Sequence, residues 1–100
     1  MSIDLFAEFD VLDGHEERVA EMMRIQTGHV LAEDGNEVFL PFTRQDDPRH
    51  YVIVERYRDR VAFENHLASA HTAAFNAEIG GHIAGNGSEL TWLDRFPHAT

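Results

Sequence analysis

Two histidines five residues apart, His66 and His71, are the groups in this chain most suited to moving protons. An imidazole titrates near neutrality and serves as general acid or base. Glu55 and Tyr57 precede them, two residues apart on one strand face, so both can point into the same space. A buried carboxylate there needs a partner. It can orient a histidine, or act as a base if burial raises its pKa. Each group also has a plainer reading. His66 suits a core edge with its nitrogens satisfied by backbone, and His71 suits a helix start. Glu55 can pair with Arg56, Arg58 or Arg60, and Tyr57 can simply fill the core. The spacing of five puts the two rings about 140° apart on a continuous helix, whereas a two-histidine metal face wants a spacing of four. No carboxylate stands at a convincing ligand spacing, even counting His82, so no metal is expected.

The elements that must position these residues follow from periodicity. Ile3, Leu5, Ala7, Phe9 and Val11 alternate with polar residues, which marks a first strand, and Phe6 hints that its other face is partly covered. Asp13-Gly14-His15-Glu16 has the pattern of a capping box with Asp13 as cap. The helix it opens carries Val19, Met22, Met23, Gln26 and Val30 on one stripe, loosens at Gly28, and stops at Gly35. Glu37 to Thr43 reads as a second strand, at an edge or bulged because of Pro41. The polar stretch to His50 reads as a hairpin connection, and Tyr51 to Tyr57 as a third strand. Asp59 can cap a helix bearing Ala62, Phe63, His66 and Leu67. Ser69-Ala70 breaks it, and a second short helix carries His71, Ala74, Phe75 and Ile79. The segment 80–87 is glycine-rich without P-loop spacing and reads as a flexible connection. Glu89 to Phe96 is a last strand. The order β-α-β-β-α-β is the ferredoxin-like α+β pattern with an antiparallel sheet.

The 100 residues suit one domain, 1–100, with a modest core that oligomerisation would extend. The net charge of −10 argues against nucleic acid and anionic membranes as partners. The absence of cysteine excludes thiolate chemistry and disulfides. An acid at position 4, where a secretory leader wants basic residues, makes the cytoplasm the expected location. Strands with bulky apolar residues on both faces need two coverings. One set of helices supplies only one of them.

The run from Glu55 and Tyr57 through Arg58-Asp59 to His66-Leu67-Ala68-Ser69-Ala70-His71 and Phe75 resembles the antibiotic biosynthesis monooxygenase-like domain. Gly14-His15-Glu16-Glu17, Glu33-Asp34-Gly35 and Asp46-Asp47-Pro48 extend the likeness along the chain. The resemblance implies a homodimer whose two sheets close into a dimeric α+β barrel. It also implies a small-molecule substrate. Ile53, Tyr57 and Phe63 stand where polyketide oxygenases of the family carry Asn, Trp and Tyr. His66 and Asn76 stand where the haem-degrading members carry Trp and the haem-ligating His, so haem is disfavoured. The set Glu55, Tyr57, His66 and His71 is closest to the quinol-monooxygenase and sugar-isomerase branch. The implied reading is a cofactor-independent monooxygenase acting on a small phenolic or quinol-type compound, with His71, His66 or Glu55 as base. Phe63, Phe75 and Trp92, unless they are core, line the substrate pocket with Tyr57. An isomerase of a small carbonyl or sugar-derived metabolite and a non-catalytic ligand-binding dimer are the alternatives. The sharpest expectation is that His71 faces a cavity between the sheet and the two short helices, with His66 and Tyr57 on the same wall.

Overall fold

The computed structural model describes residues 1–97. Its elements are β1 (Ile3–Asp10), α1 (Glu16–Leu31), β2 (Asn36–Arg44), β3 (Asp47–Tyr57), α2 (Arg60–Ala68), α3 (Ala70–Ile79) and β4 (Glu89–Leu93). The four strands form an antiparallel sheet in the order β2-β3-β1-β4, so this is the ferredoxin-like α+β fold. No helix among the described residues is long and apolar enough to cross a membrane.

Alternation decides which face of the sheet is buried. On the helix-covered face, Ala7 and Phe9 of β1, Ile53 of β3 and Phe39 of β2 pack against Val19, Met22, Met23 and Val30 of α1. A second cluster joins Leu5 and Tyr57 to Ala62 and Phe63 of α2. The five stripe residues expected on α1 are its five buried residues. On the opposite face, Phe6 pairs with Val54 and Val54 with Leu40, while Val52 pairs with Phe42. Leu40 and Phe42 are about half exposed there, at 52% and 53%. Pro41 lies on edge strand β2, where a missing N–H costs no ladder bond, and the strand has irregularities at each end.

Several local expectations need correction. Asp13 does not cap α1; the cap position is His15, which makes no side-chain capping bond, and Asp13 instead lies 3.4 Å from Arg49. Gly28 does not loosen α1, which runs unbroken to Leu31. The third strand starts earlier than expected, at Asp47, because the hairpin turn needs only Gln45 and Asp46. The last strand ends at Leu93 rather than Phe96, where pairing with β1 runs out at Asp4. The glycine-rich segment is pinned: Ile83 is buried and bridges Val11, and Ala84 donates its N–H to the Asp10 carbonyl at 2.9 Å. Its Gly85 and Gly87 take φ values of 78° and 119°, which L side chains rarely adopt.

Gly35 does not stop the helix, which closes at Ala32. It lets the turn before β2 meet the first turn of α2: a Cβ at position 35 would overlap Ala62 Cβ and crowd its Cα at 3.2 Å. The Gly35 carbonyl also accepts the Arg58 N–H at 2.8 Å, which fastens the same junction. Gly35→Ala should therefore force α2 outward and destabilise the protein by about 1–3 kcal/mol. Denaturant unfolding of the variant, read as a shift in midpoint at unchanged slope, checks this.

Candidate functional site

The cavity lies between the helix-facing side of the sheet and the three helices, with a volume of about 540 Å³. Its floor is strand residues, among them Leu5, Ala7, Ile53, Glu55 and Leu90. Its walls include Met23 and Gln26 of α1, Phe63 and His66 of α2, and Thr72 and Phe75 of α3. Residues 85–88 of the pinned glycine segment also line it.

Glu55 is the one carboxylate lining this cavity. It sits on β3 between Ile53 and Tyr57 on the inward face, and its residue surface is 7% exposed. Its partner is the Tyr57 hydroxyl, which donates to Oε1 at 2.7 Å. Arg56 does not compete for it. That side chain points to the opposite face and bonds Asp4 at 2.7 Å, holding the Asp4 carboxyl below its ordinary range. Arg58 likewise turns to Asp34 and Asp59, so the ion-pair reading of Glu55 does not hold for these two arginines. Burial pushes the Glu55 carboxyl up to about 7; the Tyr57 hydrogen bond opposes this and the nearby charge of Glu33 adds to it. Burial, and then the charge of Glu55, push the Tyr57 phenol upward too, so Tyr57 remains a hydrogen-bond donor. Tyr57 is fully buried behind the cavity floor and is not part of the lining.

The histidines are organised by Glu33, which sequence spacing did not single out, together with the helix break at Ser69. Ser69 ends α2 with extended backbone, donating its hydroxyl to the His66 carbonyl at 2.7 Å, and accepts the Thr72 N–H at 3.3 Å to begin α3. This break replaces the 140° expected of one helix with two rings that converge on Glu33. Glu33 lies in the turn after α1, and its Oε2 is 2.9 Å from His66 Nδ1 and 2.6 Å from His71 Nε2. An ionised carboxylate only accepts, so the nitrogens facing it carry the hydrogens. His66 commits Nδ1 to this contact and itself lines the cavity. The histidine-orienting carboxylate is thus Glu33, not Glu55.

His71 does not share the cavity wall with His66, contrary to expectation. It lines a separate recess of about 150 Å³ between α1 and α3, stacked on His29 at 5.1 Å between ring centroids. The capping of α3 by Ser69 turns it there. Phe63 and Phe75 do line the main cavity. Trp92 stands outside it, 54% exposed, with its ring set edgewise against Phe63 at 5.4 Å. Gln26 and Thr72 are further polar lining groups not singled out from sequence. Both are buried, and Gln26 Nε2 donates to Thr72 Oγ1 at 3.1 Å. The signal for Gln26 was present: one amide in an otherwise apolar helix stripe needs a buried partner.

The Glu55 environment gives stability a definite pH dependence. The folded-state pKa of about 7 lies above the ordinary value of 4.5. The neutral acid is therefore favoured by folding, and its contribution is complete below the ordinary value. It is lost as pH rises through the folded value, amounting to roughly 3 kcal/mol by linkage. Glu55→Gln keeps the acceptor for Tyr57 and removes the charge. The variant should match the parent in thermal stability near pH 4.5 and exceed it at pH 8. Paired melting curves across that range test this.

Residues 3–78 match the family model described as antibiotic biosynthesis monooxygenase. Among solved structures, Rv0793 of Mycobacterium tuberculosis superposes with a TM-score of 0.89 at 22% identity, over 100% of both chains. PA3566 of Pseudomonas aeruginosa gives 0.87 at 21% identity, over 96% of this chain and 95% of its own. A structure described as an antibiotic biosynthesis monooxygenase gives 0.89 at 22%, over 95% of this chain and 99% of its own. These likenesses establish the fold. No curated protein matches the sequence. The family match spans most of the chain, including β3 and α2, which carry Glu55 and His66, and the chain belongs to the antibiotic biosynthesis monooxygenase family.

Proposed function

We propose that the cavity binds a small phenolic or quinol-type compound and oxidises it with dioxygen, without a bound cofactor. The observation that carries this reading is Glu55, a buried carboxyl with a pKa near 7, set in the floor of an aromatic-walled cavity of about 540 Å³. A base of that strength, dry and hydrogen-bonded from behind by Tyr57, is suited to removing a phenolic proton. His66 offers a second base through Nε2, with Glu33 fixing its ring. Deprotonation makes the ring electron-rich enough to react with dioxygen. One oxygen atom becomes a ring carbonyl, and the other leaves as water with the two hydrogens lost from substrate carbon and oxygen. Phe39, Phe63 and Phe75 supply flat apolar walls for such a ring.

The role of His71 changes in this reading. It does not reach the substrate, and acts through Glu33 as a positioning residue for His66. Trp92 and Tyr57 support the wall and the base rather than contact the ligand.

A panel of hydroquinones and polycyclic phenols, followed at once by quinone absorbance and oxygen consumption, tests the reaction. Glu55→Gln should lower kcat by about 10²-fold or more with the fold intact. The parent's kcat/KM should rise with pH through about 7, as Glu55 ionises. Turnover without oxygen uptake would favour the isomerase alternative. Binding without turnover of any panel member would favour a non-catalytic ligand carrier.

We further propose that the open sheet face, with Phe6, Leu40, Phe42, Val52 and Val54, is covered by a second copy of the chain. Apolar residues half exposed on contiguous strands are an unfinished core. Sedimentation at micromolar concentration should give a species of twice the 11.4 kDa chain mass. Leu40→Asp with Phe42→Asp should return it to a single chain.

A further inference from the structure

We infer that Glu33, His66 and His71 form a binding site for a zinc-like divalent ion. The inference does not depend on the reaction proposed above. One ligand atom from each side chain lies within 4.8 Å of the other two. The three come from separate elements: the turn after α1, the body of α2 and the first turn of α3. All are largely withdrawn from water, their side chains being 14%, 8% and 23% exposed.

The donor set selects the class of ion. Two neutral imidazoles and one carboxylate suit zinc and the neighbouring late transition metals, whereas magnesium and calcium prefer oxygen throughout. Three protein ligands with a fourth position for water is the pattern of open zinc sites. Bonds of about 2.0–2.1 Å in tetrahedral geometry place ligand atoms about 3.3 Å apart. The observed 2.9 Å and 2.6 Å from Glu33 Oε2 to the two ring nitrogens are the hydrogen-bonded form of the same arrangement. An ion replacing the two bridging hydrogens lengthens each Glu33 contact by under about 1 Å from the observed distances, with the ring nitrogens already within 4.8 Å of each other. Ser69 Oγ lies 3.2 Å from His71 Nε2 and Thr72 Oγ1 lies 3.5 Å from His66 Nδ1, so two hydroxyls border the site. His71 is the most exposed ligand and marks the way in.

The ion would sit at the Nδ1 edge of His66, a residue that also lines the cavity. If His66 is the base proposed above, metal at Nδ1 moves the ring hydrogen to Nε2, and that nitrogen changes from acceptor to donor. Zinc would then oppose base catalysis while holding α1, α2 and α3 together.

The test uses untagged, chelator-treated full-length protein titrated with zinc chloride in a calorimeter. One ion per chain with a dissociation constant in the micromolar range or tighter is expected. Cobalt chloride should give the intense visible bands of a tetrahedral site. His71→Asn and Glu33→Gln, each first checked by circular dichroism, should weaken binding at least about 10-fold. His71→Asn is the decisive variant because its ring is the least buried of the three. The half-buried pair His15 and His82, whose Nδ1 atoms approach to 2.9 Å, provides the control: His82→Asn should leave binding unchanged. Zinc affinity equal in parent and His71→Asn, or abolished by His82→Asn, overturns the inference and leaves the cluster as a hydrogen-bonded brace.

Discussion

A single carboxylate holds two histidines that local chain geometry would keep apart. Glu33 receives hydrogen bonds from His66 and His71, and each of the three stands where it does for a different reason. The turn after α1 presents Glu33, and Gly35 allows that turn to touch α2. The break at Ser69 swings His71 out of the helical register of His66. Without the break, the rings would diverge around one cylinder. Without the close approach at Gly35, the carboxylate would not reach them. The hydrogen bonds also commit one nitrogen of His66, a residue that lines the cavity.

The second constraint is the burial of Glu55. Its hydrogen bond from Tyr57 is too little to offset desolvation, and the charge of Glu33 works against ionisation from the other side. The protein thus carries, at the floor of this cavity, a carboxyl whose neutral form burial favours. Structural carboxylates in this chain are treated differently. Asp4 meets Arg56 on the open face and is stabilised as an anion. The contrast between two acids paired across opposite faces of the same sheet separates a poised group from a structural one.

The sheet's alternation connects these features to assembly. Inward residues of β1 and β3 form both core and cavity floor, while outward ones produce a ribbon of Phe6, Val54 and Leu40 with nothing over it among the described residues. The same period of two therefore sets the cavity and the open face. A one-residue slip in register would exchange Glu55 for Arg56 in the cavity and bury the wrong side.

Periodicity in the sequence determined the element order, the buried stripe of α1, the edge position of Pro41 and the break at Ser69, because each depends on neighbours within a turn or a strand pair. The same local logic put Glu55 on one strand face with Ile53 and Tyr57, the face that packing then turned inward. The rest was decided by tertiary structure. Glu33 lies 33 and 38 residues before the histidines it joins, a distance over which no spacing rule operates. His71 and Trp92 carry residue types that suit a pocket, yet the helix cap at Ser69 and the edge placement of β4 set them outside it. Gly35 reads as a helix stop by composition, but what it meets is Ala62, a contact made only once α2 has packed. Residue type and spacing specify which groups are able to do chemistry, and the packing of distant segments specifies which of them meet.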